Sequence, residues 1–283
     1  MQMFDIIESY NEKYMQGGSE MKILFFLVSF AASTVGAICG IGGGVIIKPA
    51  LDMFQMESVS TISFLSGCAV LSMSLYAVAK ELLTGKSKVD LKAATPLAVG
   101  AALGGVFGKL IFTYIIDMGE NVNGIGAVQA LCLLIITVFT LVYTVKKNEI
   151  KTRHITSKSI CSGLGILLGI TSSFLGIGGG PVNIILLHYF FTMDSKTAAQ
   201  NSLYIIFFSQ AANLIATLIT NTVPDFNFLY LLLMIMGGIL GGMTGRLCHR
   251  YIGTHTIDKL FILLMGVIII ISIYNVFQYS VGL

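Results

Sequence analysis

Gly40-Ile-Gly-Gly-Gly44 recurs in the same chain as Gly176-Ile-Gly-Gly-Gly180, each copy lying between a long apolar run and a short one. Further along, Leu103-Gly-Gly-Val-Phe-Gly-Lys-Leu110 recurs as Leu240-Gly-Gly-Met-Thr-Gly-Arg-Leu247, with the cation kept as Lys109 and Arg246. Two motifs repeated in the same order, at spacings one residue apart, mark an internal duplication. The expected units are a first repeat at 21–147, a basic linker at 148–158 and a second repeat at 159–283.

Each repeat carries five apolar segments. They fall near 21–40, 44–56, 58–80, 93–116 and 124–145, then near 160–177, 181–192, 197–219, 227–250 and 258–280. A straight helix needs about 20 residues to cross roughly 30 Å of hydrocarbon. The second segment of each set is too short for that and comes directly after the glycines. It is expected to be a broken or re-entrant helix, because irregular backbone at membrane depth survives only where it lines a cavity or is buried in protein. The implied fold class is all-α integral membrane, with two homologous repeats and 8–10 membrane segments.

Composition agrees. Of 283 residues, 55% are hydrophobic and 11% charged, against about 25% charged in an ordinary soluble domain. Lipid is the expected solvent and the inner (plasma) membrane the expected location. A net charge of +3 is too small to suggest nucleic acid as a partner. The five cysteines form no Cys-x-x-Cys pair, so neither a disulfide framework nor a zinc site is expected, and no metal or cofactor is called for. Residues 21–39 have the look of a signal peptide, but their counterpart inside the chain places them in the mature fold. Residues 1–20 read as an amphipathic helix on the membrane surface.

Loop charges give orientation. The 80–92 loop and the linker are rich in Lys and Arg and should face the cytoplasm, whereas 117–123 has Asp117 and Glu120 and no cation. In the second half the bias reverses: 220–226 lacks cations, and Arg246 and Arg250 precede the 251–257 turn. Corresponding loops then lie on opposite sides, which makes the repeats inverted and the short segments crossings.

Successive glycines expose backbone N–H groups and permit positive φ, forming an anion-binding nest. A helix starting just afterwards adds its free N–H groups and positive dipole end. Gly42, Gly43 and Gly44, with Gly178, Gly179 and Gly180, are therefore candidate substrate-binding residues, and Pro181 suits the first helical position. The competing reading is close helix packing through small residues, which is the expected role of Gly100, Gly104 and Gly108 and of Gly237, Gly241 and Gly245. Lys48 is an ionisable group inside an apolar segment, either drawing an anion or pairing with Asp52 at i,i+4. Asn183, Gln200, Asn201 and Ser202 offer uncharged hydrogen-bonding groups for an oxyanion, or glue between helices. Neither glycine cluster is a dinucleotide fingerprint, since Val45 and Pro181 stand where glycine is needed and no strand precedes. No Asp or Glu lies in the middle of a long span, and no nucleophile elbow or paired-His motif appears, so neither a carboxylate ion relay nor an enzyme is expected.

Gly40-Ile-Gly-Gly-Gly44 with Pro49 and Leu51 downstream, the second copy at 176–180, and Met193-Asp-Ser-Lys-Thr-Ala-Ala-Gln-Asn-Ser202 resemble the TauE/SafE family over nearly the whole chain beyond residue 20. The resemblance implies secondary transport of sulfite, organosulfonates or other small oxyanions and carboxylates across the bacterial inner membrane. One departure stands out: the place of Pro49 is taken by Ile185 in the second copy, with a proline at Pro181 instead. The expected mechanism is alternating access around an anion held between the two glycine turns, by rocking of one half against the other. A passive anion channel using the same turns is the alternative.

Overall fold

A computed structural model describes residues 19–83, 89–118, 122–147, 149–153, 155 and 157–281. The expected surface helix over the first twenty residues, part of the 80–92 loop, and Glu120 lie largely or wholly outside the described residues. Among the described residues there are ten helices: α1 (Ser19–Cys39), α2 (Gly44–Asp52), α3 (Val59–Leu83), α4 (Leu91–Met118), α5 (Val122–Lys146), α6 (Lys158–Leu175), α7 (Pro181–Phe191), α8 (Ser195–Ile219), α9 (Phe228–Tyr251) and α10 (Thr254–Val281). All but α2 and α7 are long and apolar enough to cross a membrane. At 9 and 11 residues, those two reach only about half of a bilayer core at 1.5 Å per residue.

The glycines decide where the long helices stop. Gly40 (φ +74) and Gly176 (φ +64) both adopt the left-handed conformation, ending α1 and α6 without the steric cost another residue would meet. Gly176 is the C-cap of α6, its N–H donating to the Ser173 carbonyl, while Ile177 N–H reaches Ser172. Pro181 then occupies the first turn of α7 directly after extended Gly180. Asp194 caps α8 by accepting from Thr197 N–H. Burial pushes its carboxyl pKa up, but bonds from Thr197 and from the Thr254 hydroxyl outweigh this, and the group titrates below the usual range.

The tightest seams run between the halves. A Cβ on Gly104 of α4 would land on the Ile166 carbonyl of α6, and on Gly108 it would lie 2.7 Å from the Ile170 carbonyl. In the other seam Gly237, Gly241 and Gly245 of α9 press on Phe26, Phe30 and Thr34 of α1. Between membrane helices, such backbone approach supplies the van der Waals contact that lipid-facing apolar surface cannot. Partners are reciprocal: α4 packs on α6 and α8 as α9 packs on α1 and α3, α2 packs on α10 as α7 packs on α5, while α3 meets α8 and α5 meets α10.

Connections gather at two ends. At one, Thr61 bonds the Asp225 carbonyl and Phe64 stacks on Phe226. At the other, Arg153 and Ile155 of the linker donate to Tyr189 and Phe190, Asp90 donates to Asn201, and Lys196 holds the Ile252 carbonyl.

Candidate functional site

The two glycine turns meet in the middle of the bundle. A Cβ on Gly44, the first residue of α2, would strike the carbonyl of Ile177 in the second turn. Gly42 and Gly178 both border Val70, and Gly42 and Gly179 both border Ile206. Val70 and Ile206 lie near the centres of α3 and α8, so the turns sit at mid-depth, where a helix start can face a buried ligand.

The turns are not equivalent. The first is close-packed: a Cβ on Gly36 would lie 2.7 Å from Gly43 N, a Cβ on Gly43 2.9 Å from the Ser33 hydroxyl, and one on Gly40 would hit the Ala199 backbone. The second is as close-packed at Gly176, where a Cβ would lie 2.5 Å from the Ser63 hydroxyl, and at Gly179, where it would collide with Ile206, but at Gly180 the nearest atom would be 3.5 Å away. Two adjoining cavities of about 10 Å3 each, bordered by Ser172, Gly179, Gly180, Asn183 and Ser209, have room for about one water apiece. Each of these cavities is smaller than a sulfonate. Both border the second turn.

Several buried polar atoms around the turns lack a hydrogen-bond partner: the hydroxyls of Ser33, Ser66, Ser172 and Ser202, and Oε1 of Gln210. Gln210 rests against Gly178, with its Nε2 3.0 Å from where a Cβ would be, and against Gly67. Ser66 shares a helical face with Ser63 and Val70, and Ser202 with Ala199 and Ile206, and each of those four neighbours touches a glycine turn. Unpartnered buried hydroxyls cost free energy and are characteristic of a site prepared for a polar ligand.

Lys48 is buried and pairs with Asp52 at 2.8 Å. Its Cε comes within 3.2 Å of where a Cβ on Gly176 would stand, so the first repeat's lysine lies against the second repeat's turn. Asn183 sits in the first turn of α7, bordering both cavities. The other amides fall elsewhere. Asn201 bonds Asp90 N–H and the Thr197 carbonyl, tying α8 to the chain before α4. Gln200 borders a separate cavity with Glu81, Tyr204 and Arg246, where Arg246 pairs with Glu81 and donates to Ala77. Sequence reasoning missed Ser172 and Ser209; their one signal was a hydroxyl inside an otherwise apolar span.

Eight spanning helices, irregular backbone buried at mid-depth and polar atoms gathered around it define a multi-pass helical membrane protein of the transporter class. Residues 25–272 match the family model described as "Sulfite exporter TauE/SafE", and the chain belongs to that family. It is 24% identical over 271 residues to the "Probable membrane transporter protein YunE" of Bacillus subtilis, covering 88% of this chain and 94% of that one. It is 29% identical over 161 residues to a "Probable membrane transporter protein" of Haemophilus influenzae, covering 56% of this chain and 59% of that one. No solved structure matches. The protein is a multi-pass inner-membrane transporter of the TauE/SafE type.

Proposed function

We propose that the protein is a secondary carrier for a small oxyanion of the sulfite or organosulfonate class, bound at the second glycine turn and worked by alternating access. The observation that carries this reading is the meeting of the two turns at mid-depth, with Gly179, Gly180 and the first turn of α7 bordering cavities at that level. Backbone N–H groups and a helix dipole favour an anion without a fixed countercharge. Ser172, Asn183 and Ser209 add side-chain donors, and Lys48 stands one residue-width away.

An inverted relation between the repeats underlies the carrier reading. Gln129 near the start of α5 and Asn275 near the end of α10 border one cavity, and Lys147 just past α5 and Asp258 near the start of α10 border another. The two helices are thus antiparallel, as the fifth helices of inverted repeats must be. The charges agree. The end bearing Lys146, Lys147, Lys151, Arg153, Lys158, Arg246 and Arg250 is the positive one and is assigned to the cytoplasm. The moving bodies are not the sequence halves, because the glycine seams lock α4 to α6 and α9 to α1. They are α1, α2, α3 and α9 on one side and α6, α7, α8 and α4 on the other.

The cavities at the second turn are smaller than sulfite, so binding requires these bodies to part. Purified protein in vesicles tests the reading. A carrier shows saturable uptake of radiolabelled sulfite accelerated by unlabelled sulfite inside. Ion conductance of many charges per event, with no counterflow, would favour the channel instead.

A further inference from the structure

We infer that the protein binds a small hard monovalent cation of sodium's class in a second site, at the far end of α2, lined by Asp52, Gln129, Ser272 and Asn275. These four side chains come from α2, α5 and α10, border one cavity of about 10 Å3 together with the Asp52-paired Lys48, and are 1–6% exposed. Each presents an oxygen with no hydrogen-bond partner: Asp52 Oδ1, Gln129 Oε1, Ser272 Oγ and Asn275 Oδ1.

The orientation of the amides is fixed by their own nitrogens. Gln129 Nε2 donates to the Phe174 carbonyl at 2.6 Å, and Asn275 Nδ2 donates to the Pro49 carbonyl at 2.9 Å. Turning either amide over would set its oxygen against a carbonyl oxygen. Both amide oxygens are thereby held toward the cavity beside a carboxylate oxygen, without a hydrogen-bond partner, an arrangement that a bound cation satisfies. Two helix C-termini add their negative dipole ends: Asp52 closes α2, and Leu175, which also borders the cavity, closes α6. Oxygen-only donors select a hard cation over a transition metal. The one carboxylate already shares its charge with Lys48 through Oδ2 at 2.8 Å, which leaves too little negative charge for a divalent ion. The cavity has room for one water-sized occupant, which admits sodium and excludes an oxyanion.

The cavity at the opposite end of the bundle shows what such a place looks like when the protein fills it itself. There α7 contributes His188, α10 Asp258 and the residue just past α5 Lys147. Lys147 lies 2.6 Å from Asp258, Ser195 bonds both of them, and Tyr143 bonds His188. Each cavity thus holds a tethered Lys–Asp pair, Lys147 with Asp258 and Lys48 with Asp52; the one beside Asp52 has in addition four buried oxygens without a hydrogen-bond partner. Helix α2 thus joins two sites, its N-terminus at the glycine turns and its C-terminus at the cation. The sequence shows no carboxylate within a long span; Asp52 is instead buried by the short one.

Binding is measurable without any transported anion, so failure of this site and failure of the oxyanion reading are separable. Purified protein is melted in sodium chloride and in choline chloride at equal ionic strength, and radioactive sodium binding is measured by equilibrium dialysis. A saturable rise in melting temperature specific to sodium is expected, with one sodium bound per chain. Asp52→Asn removes both signals. Ser272→Ala, which loses one ligand and disturbs nothing else, weakens sodium binding about tenfold, the scale of one lost polar contact. Identical melting in the two salts with no bound sodium overturns the inference, as does wild-type affinity in Ser272→Ala. A stabilisation that tracks pH alone, equal in both salts, overturns it too.

Discussion

The two glycine turns share the sequence Gly-Ile-Gly-Gly-Gly and are similarly crowded up to the fourth residue, yet the last glycine is packed against backbone in one and borders space in the other. The difference lies at the exit from each motif into its short helix. At the first, Gly44 begins α2 with its Cα pressed on the Ile177 carbonyl. At the second, extended Gly180 and Pro181 turn α7 away and leave room beside Asn183. The same motif therefore forms a backbone-to-backbone joint at its first occurrence and borders a cavity at its second. The same small residues satisfy both needs because glycine alone supplies positive φ and close approach together.

That contrast orders the effects of substitution. Gly44→Ala has no escape, since its methyl meets backbone rather than a movable side chain. It is expected to cost about 3 kcal/mol or more and to lower the thermal midpoint of the purified protein sharply. Gly179→Ala combines a φ of +141 with collision against Ile206; the strain is about 1–3 kcal/mol, measurable in the same melt, and flux in vesicles should vanish. A milder effect on Gly179→Ala than on Gly44→Ala sharpens the comparison, and the reverse order breaks it. Asn183→Ala should leave stability nearly unchanged while sulfite flux falls roughly tenfold to a hundredfold, the scale of one hydrogen bond to a charged group. An Asn183→Ala variant that unfolds while retaining flux would make that residue a packing element.

Much of the scaffold was legible because its signals are local. Apolar runs marked the eight spanning helices, and glycines ahead of Pro181 marked where α6 stops and α7 starts. The second segment of the first half was expected to run to residue 56, but α2 stops at Asp52, where Lys48 and Asp52 pair. The site was legible only in part. Asn201 and Gln200 looked like ligand amides, yet Asn201 bonds Asp90 N–H and Gln200 borders the cavity beside Glu81, neighbours that spacing cannot reveal. Gln129, Ser272 and Asn275 are isolated polar residues in apolar helices, and only folding brings them beside Asp52. The close contacts of each half's fourth helix with the other half's first were not legible either, because glycine spacing marks a packing face without naming its partner.

The most direct test is Gly180→Ala. Its φ of −161 suits any residue, and the nearest atom to the new methyl, Ile177 Cδ1, would lie at an ordinary 3.5 Å. The variant should melt within about 0.5 kcal/mol of the wild type, with its methyl standing in the cavity before the start of α7. Sulfite flux into vesicles is predicted to fall at least about tenfold, the cost of losing one charge-assisted backbone contact. A Gly180→Ala protein that folds and transports like the wild type would contradict anion binding at the second turn.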